Sequence, residues 1–131
     1  MIGILKKLGF YLKNKKKIFL IDSEEDFNFL IHSLENENLL AVDTEFDWRT
    51  TYFPVLSLLQ IATKNKIFLV DCLNCKNLMR LKDILEDKDR LIVFHSSRSD
   101  TTVLYTNLNI KVINSYDVQL AEKMISGGNL K

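Results

Sequence analysis

The sequence contains little of what would divide it into separate parts. Its 131 residues include one proline and four glycines, and no internal repeat or low-complexity stretch is visible. Flexible linkers are usually built from residues of this kind. The length suits one domain and is sufficient for a real hydrophobic core, so we expect one folded unit.

Cysteine is also scarce. Cys72 and Cys75 are the only two, and they form a single C-x-x-C pair. A structural zinc site needs four ligands, and His32 and His95 do not complete one at any usual spacing. A redox dithiol stays open, but two reduced, partly buried thiols are the favoured state for a cytosolic protein.

The chain has no long hydrophobic run. A transmembrane helix needs about 20 consecutive apolar residues, and no stretch comes close. Near the N-terminus Lys6, Lys7 and Gly9 interrupt the apolar residues, which makes a poor secretory signal peptide. By default we expect a cytoplasmic protein with no membrane partner.

The charge is divided unevenly along the chain. The formal net charge is +1, but residues 1–17 hold six lysines and no acid, so the remainder carries −5. The apolar residues of this segment could form one stripe of a basic amphipathic helix that contacts membranes or phosphates. We favour a solvated terminal segment, and divide the chain into a basic N-terminal arm, 1–17, and a domain, 18–131.

Hydrophobic periodicity predicts an α/β domain. The order of elements is βα, then three strands, then αβαβα. The three central strands have short connections and should form an antiparallel meander, because parallel neighbours need a crossover of about a dozen residues or more. The result is a mixed sheet flanked by helices. The predicted strands are 17–22, 39–46, 55–63, 67–71, 91–94 and 112–113.

Two acids stand at the end of the second predicted strand. Asp43 and Glu45 follow an apolar run and are separated by one residue. Side chains two apart on a strand point to the same face, so the carboxylates should lie close together. Such a pair repels unless a cation lies between the charges or one group takes a proton, and Mg²⁺ prefers oxygen ligands. We interpret the pair as half of a metal site, with two solvated acids as the alternative.

Asp100 is a third candidate ligand. It follows the apolar strand 91–94 and stands in the first turn of a predicted helix, where the helix dipole alone also favours an acid. Three carboxylates from adjacent elements could hold two metal ions about 4 Å apart. No sequence rule by itself brings Asp100 to Asp43.

Three ordered stretches resemble the motifs of the ribonuclease D family. Residues 41–46, followed by 51–54 and 58–61, resemble its first exonuclease motif, and residues 94–104 resemble its second. Residues 116–121 look like its Asp-Thr-Gln helix. The resemblance runs from about residue 19 to residue 128. It implies a ribonuclease H-like fold and a two-metal 3′–5′ exonuclease of the DEDD class that trims single-stranded RNA.

The resemblance also implies roles for the three acids. Asp43 would bridge two Mg²⁺ or Mn²⁺ ions, Glu45 would bind one ion and orient the attacking water, and Asp100 would bind the other ion. Asp117 would cap a helix rather than bind metal.

Three further residues become candidates for binding the substrate. Phe46, Tyr52 and His95 stand near the acids in sequence. They would face the terminal nucleotide, by stacking or by hydrogen bonding.

One motif of the family has no counterpart. The family places a Tyr or His, followed four residues later by Asp, some tens of residues beyond the Asp-Thr-Gln helix, and this sequence ends at Lys131. We therefore expect a C-terminally incomplete domain, without the fourth carboxylate and the usual general base, that is a poor or inactive exonuclease. Apolar side chains of the sheet, or of the helix at residues 115–125, should be exposed and could support self-association or docking of a partner. A non-catalytic nucleic-acid-binding or scaffold module and an unrelated α/β protein are the alternatives.

Deleting the basic arm should leave the unfolding of the domain nearly unchanged, because the arm lies outside the resemblance. Urea or thermal unfolding of the full and shortened chains measures this. Affinity for nucleic acid should fall on deletion and with added salt, since lysine–phosphate contacts release counterions. Loss of cooperative unfolding in the shortened chain would show that the arm belongs to the core.

Overall fold

The computed structural model describes residues 16–128, which contain six strands and four α-helices. The strands are β1 (Lys17–Ile21), β2 (Leu39–Asp47), β3 (Val55–Ala62), β4 (Lys66–Asp71), β5 (Leu91–Phe94) and β6 (Ser115–Asp117). The helices are α1 (Glu24–Leu34), α2 (Lys82–Leu85), α3 (Ser97–Leu108) and α4 (Val118–Ser126), and a 3₁₀ turn, Leu78–Leu81, precedes α2.

All six strands form one mixed sheet in the order β1-β4-β3-β2-β5-β6. The central strands β2, β3 and β4 are antiparallel, while β1 pairs in parallel with β4 and β5 in parallel with both β2 and β6. This arrangement confirms the predicted α/β class, with an antiparallel meander and parallel strands beside it.

The predicted strand at 112–113 is wrong. The strand that pairs with β5 is β6, in which Tyr116 lies opposite Val93 and Asp117 opposite Phe94. Val112 packs against the core without pairing, and Ile113 is exposed. The high strand propensity of the two β-branched residues is overridden by the register of the parallel pair.

The two faces of the sheet differ in burial. Along β2, Leu40, Val42 and Thr44 are buried, and the intervening residues are partly or fully exposed. The buried face packs against the apolar sides of α1, α2 and α3 in one contiguous core. Asp43 and Glu45 belong to the opposite, less covered face, as alternation along a strand requires.

The last residues of the basic arm contact the sheet. β1 already begins at Lys17, and the Lys16 ammonium donates a hydrogen bond of 2.6 Å to the Thr63 carbonyl. A deletion that preserves β1 and this bond therefore ends at residue 15. Residues 1–15, the rest of the basic arm, lie outside the described residues.

The predicted exposure of the last helix is confirmed. α4 has no buried side chain, and Leu120, Met124 and Ile125 are all exposed. Gly127, in the left-handed conformation at φ +69°, ends the helix, as glycine readily does. Self-association through this surface stays a prediction.

The cysteines are free thiols, in agreement with the sequence. Cys75 is buried and Cys72 partly so. Burial, together with the neighbouring Cys75, raises the pKa of Cys72 to about 12. A thiol with such a pKa supplies little thiolate and is a poor nucleophile or metal ligand.

Over the stretch 16–128, the helices are all too short or too polar to span a bilayer.

Arg90 is a structural residue that the sequence patterns did not reveal. Its buried guanidinium donates hydrogen bonds to the carbonyls of Leu34, Glu35, Glu37 and Ile84 at 2.6–3.3 Å. Carbonyls at the end of a helix lack intrahelical partners. One planar side chain with five donors therefore ties the end of α1 to α2.

Arg90→Ala should lower the free energy of unfolding by about 3 kcal/mol, because several buried carbonyls lose a charged donor. Arg90→Lys should recover part of this loss, since an ammonium cannot reach all four oxygens. Urea unfolding measures both variants. Arg98→Ala, at an exposed position on α3, is the control and should change stability by less than about 0.5 kcal/mol. Equal stability of Arg90→Ala and wild type would contradict the assigned role.

Candidate acidic active site

Two of the predicted site residues are placed by β2. Asp43 lies opposite Gln60 of β3, and Glu45 lies opposite Leu58. Asp43 is half-buried and Glu45 is exposed, both on the less covered face of the sheet. Immediately afterwards the register shifts between Glu45 and Phe46, an irregularity of the kind that bends a strand locally, and pairing then continues to Asp47.

Asp100 reaches the same strand from α3. Its Oδ1 accepts two hydrogen bonds from Thr44, one from the backbone N–H at 2.9 Å and one from the hydroxyl at 2.7 Å. Asp100 is buried, so these bonds supply the partners that a buried polar group needs. They fasten the third acid to the residue that separates Asp43 from Glu45.

Gln60 contacts the first acid. Its side-chain amide donates to Asp43 Oδ2 at 3.2 Å. Gln60 is a buried polar residue in a largely apolar strand. Neither Thr44 nor Gln60 was predicted as part of the site. In the sequence, Gln60 stands out only as a single amide within the apolar run 58–61. Its role becomes visible only when the β2–β3 register, which places it opposite Asp43, is known.

The carboxylates of this site disfavour one another's charge. Burial raises the pKa of Asp43 to about 6, and the negative charges of Asp100 and Glu45 contribute to the rise. Burial also raises the pKa of Asp100, although the hydrogen bonds from Thr44 oppose the shift. Such shifts require charges close enough to interact, so the carboxylates of Asp43, Glu45 and Asp100 lie near one another.

The residues fit a divalent cation by donor type and charge. All three groups offer carboxylate oxygens, the ligands that Mg²⁺ and Mn²⁺ prefer. A cation would also relieve the repulsion that acts on Asp43. Between residues 16 and 128, however, no group of three or more His, Cys, Asp or Glu side chains is already arranged to hold a metal ion.

Asp117 organises the entry to α3. Its carboxylate accepts bonds from the backbone N–H groups of Ser96 and Ser97, and from those of Gln119 and Leu120 at the start of α4. Burial raises the pKa of Asp117, but these donors outweigh it and hold that pKa well below its usual range. The predicted capping role is confirmed, and it extends to the loop that sets the position of Asp100.

The predicted substrate-binding residues lie at different depths. Phe46 follows Glu45 directly and packs against the core. Tyr52 is 92% exposed on the loop after β2, with its ring edge-on to Phe53 at 4.9 Å between centroids. His95 is half-buried directly after β5. Their contact with substrate stays a prediction.

Removing one charge should stabilise the metal-free site. The unfolded Asp43 carboxyl has an ordinary pKa of about 3.9, whereas its folded pKa is about 6. The folded chain therefore binds the extra proton between these values, and its stability falls as pH rises through that window. In EDTA, Asp43→Asn should be more stable than wild type at pH 7.5, and should lose less stability between pH 5 and pH 7.5.

Urea unfolding at the two pH values measures this difference. Asp83→Asn, at an exposed position on α2, serves as the control and should keep the wild-type response. The charge repulsion would be refuted by identical responses of the Asp43→Asn and Asp83→Asn chains.

Comparison with known proteins gives the family. A model of the 3′–5′ exonuclease family matches residues 18–129. Ribonuclease D of Desulfotalea psychrophila is 28% identical over 103 residues, which are 78% of this chain and 28% of that protein. The chain thus spans under a third of the length of this relative.

Solved structures agree with this assignment. The catalytic core of RRP6 from Trypanosoma brucei is 30% identical, with a TM-score of 0.76 over 82% of this chain and 30% of that one. Trypanosoma brucei RNase D in complex with RNA U12 has a TM-score of 0.79 over 94% of this chain and 44% of that one, at 21% identity, which shows the fold alone. The chain belongs to the 3′–5′ exonuclease family, within which it resembles the ribonuclease D and RRP6 exoribonucleases.

Proposed function

We propose that Asp43, Glu45 and Asp100 bind two divalent cations, Mg²⁺ or Mn²⁺, and hydrolyse the phosphodiester bond at the 3′ end of single-stranded RNA. The observation that supports this most directly is the attachment of buried Asp100 to Thr44. It brings a third carboxylate to the strand segment that carries the other two. Mutual repulsion at Asp43 supports the same proposal.

Each acid has a part in this mechanism. Bound cations would stabilise charge on the attacking and leaving oxygens. Gln60 holds one oxygen of Asp43, and Thr44 holds one oxygen of Asp100, so each carboxylate keeps a fixed direction and a second oxygen for a ligand. Exposed Glu45 is suited to orienting a water molecule that enters from solvent.

The proposed substrate is RNA because the relatives are named as ribonucleases and one neighbour was solved with RNA U12. Phe46, Tyr52 and His95 would contact the terminal nucleotide. The exonuclease unit would comprise residues 18–131, with the lysines of the basic arm adding electrostatic attraction for phosphates.

A non-catalytic nucleic-acid-binding module is the second candidate. It is favoured by the absence, across residues 16–128, of a ready-made group of metal-holding side chains. The two candidates differ in whether the acids bind a cation, which can be measured without turnover.

Millimolar Mn²⁺ or Mg²⁺ should raise the melting temperature of the wild-type chain above its value in EDTA, because a ligand of the native state stabilises it by mass action. Asp43→Asn should lose most of this rise, whatever its own stability in EDTA. Asp83→Asn provides the matched control, with the rise intact. The metal site would be disproved by equal melting temperatures of the wild type in EDTA and in Mn²⁺.

The same proteins should be incubated with 5′-labelled single-stranded RNA and Mn²⁺. We expect any stepwise shortening from the 3′ end to fall at least about 100-fold in Asp43→Asn, as loss of a metal ligand removes the charge stabilisation. RNA binding by a wild type that neither binds metal nor shortens RNA would favour the non-catalytic module.

A further inference from the structure

A cleft of about 650 Å³ opens next to the acidic site, where the chain leaves β2. Its lining includes Phe46, Trp48, Arg49, Val55 and Leu73. The volume lies within the range of about 300–1,000 Å³ that is usual for small-molecule sites. None of these residues belongs to the proposed metal site, and among them only Phe46 is already proposed to contact the terminal nucleotide.

The cleft adjoins the backbone of Glu45. Phe46 follows Glu45 in the chain, directly after the register shift in the β2–β3 pairing. On the opposite wall, the Ser57 hydroxyl donates to the Glu45 carbonyl at 2.9 Å. Both walls of the cleft are therefore attached to the backbone of a candidate metal ligand.

Two large apolar side chains of the cleft are exposed to solvent. Trp48 is 69% exposed and Leu73 is 67% exposed. Trp48 in particular leaves a large aromatic surface in water. Apolar surface that is shared between neighbouring side chains and bordered by polar groups is typical of binding sites, and Trp48 and Leu73 line the same cleft.

The guanidinium of Arg49 contributes a second flat surface, and it is paired with the carboxylate of Asp47. Its Nε donates to Asp47 Oδ1 at 3.0 Å and its Nη2 to Oδ2 at 2.8 Å. The pairing places the carboxylate of Asp47 beside the guanidinium, offsets part of its charge and orients its plane. A phosphate would need a cation that is not already paired, whereas nucleobases stack on aromatic rings and on guanidinium planes.

We propose that this cleft binds a nucleobase of the substrate RNA, stacked on Trp48, at a position next to the 3′-terminal nucleotide. The inference rests on the proposed function, which places the 3′ end of the RNA at the acids. Single-stranded nucleic acid is the occupant because its terminal phosphodiester would lie at the acids while a neighbouring base reaches the aromatic surface.

Trp48 is the only tryptophan in the chain, so its fluorescence reports directly on the cleft. The full chain is titrated in EDTA with a single-stranded uridine octamer, and tryptophan quenching is compared with the anisotropy of the same oligomer carrying a 5′ fluorophore. We expect both signals to saturate with the same Kd. A blunt RNA duplex should quench the fluorescence far less, because its bases are already stacked.

Substitutions separate stacking from the general attraction of the chain for RNA. By anisotropy, Trp48→Ala should bind the octamer about tenfold more weakly, since stacking is worth about 1–3 kcal/mol per base. Trp48→Phe should stay within about threefold of wild type. Tyr105→Ala removes another exposed aromatic side chain, on α3 and outside the cleft, and should have no effect.

The ratio between Trp48→Ala and wild type should persist as salt is raised, unlike the contribution of lysine–phosphate contacts. The proposal is overturned if RNA binds without quenching, if Trp48→Ala binds as tightly as wild type, or if the wild type does not bind the octamer. Quenching by apolar peptides but not by RNA would also overturn it and would assign the cleft to a protein partner.

These outcomes are distinguishable from failure of the proposed function. Suppose that metal-dependent shortening of RNA requires Asp43 but is equally efficient, with the same KM, in Trp48→Ala. This result would refute only the stacking site. Quenching by RNA in a chain that shows no metal-dependent stabilisation would refute the proposed nuclease function and support the stacking site.

Discussion

The hydrogen bonds between Thr44 and Asp100 are the interaction on which the rest of the site depends. The two residues are 56 positions apart, and their contact connects α3 to the central strand. A buried carboxylate without such partners would carry a large desolvation penalty. Since one carboxylate oxygen accepts both bonds, the strand fixes the acid without using its second oxygen.

Asp117 supports this contact indirectly, through the turn that precedes α3. Asp117 binds the backbone of Ser96 and Ser97, just before the helix that carries Asp100. Ser96 has a φ of +66°, an uncommon conformation for a non-glycine residue, and its own side chain does not cap the helix. Asp117 thus stabilises a strained turn and caps the next helix with the same carboxylate. The entry angle of α3, and with it the depth of Asp100, follows from that arrangement.

The sequence alone predicted the local features of the site but not its non-local contacts. Alternation along one strand was enough to place Asp43 and Glu45 on a common face. The partners Thr44 and Gln60 depend on pairing and on a helix docking far along the chain, so no periodicity marks them. The predicted strand at 112–113 failed for a related reason, because parallel register selected Tyr116 and its neighbours instead.

The same alternation of side chains allows β2 to carry both core residues and candidate site residues, on opposite faces. Leu40 and Val42 supply one face with apolar surface packed against helices, and that face holds β2 rigidly. The opposite face is left for Asp43 and Glu45, where partial burial and the nearby Asp100 raise the pKa of Asp43. Complete burial would drive the carboxyls to the neutral form, and full exposure would screen their repulsion. A half-covered sheet face lies between these limits, so it keeps the negative charges close together and still open to a cation from solvent.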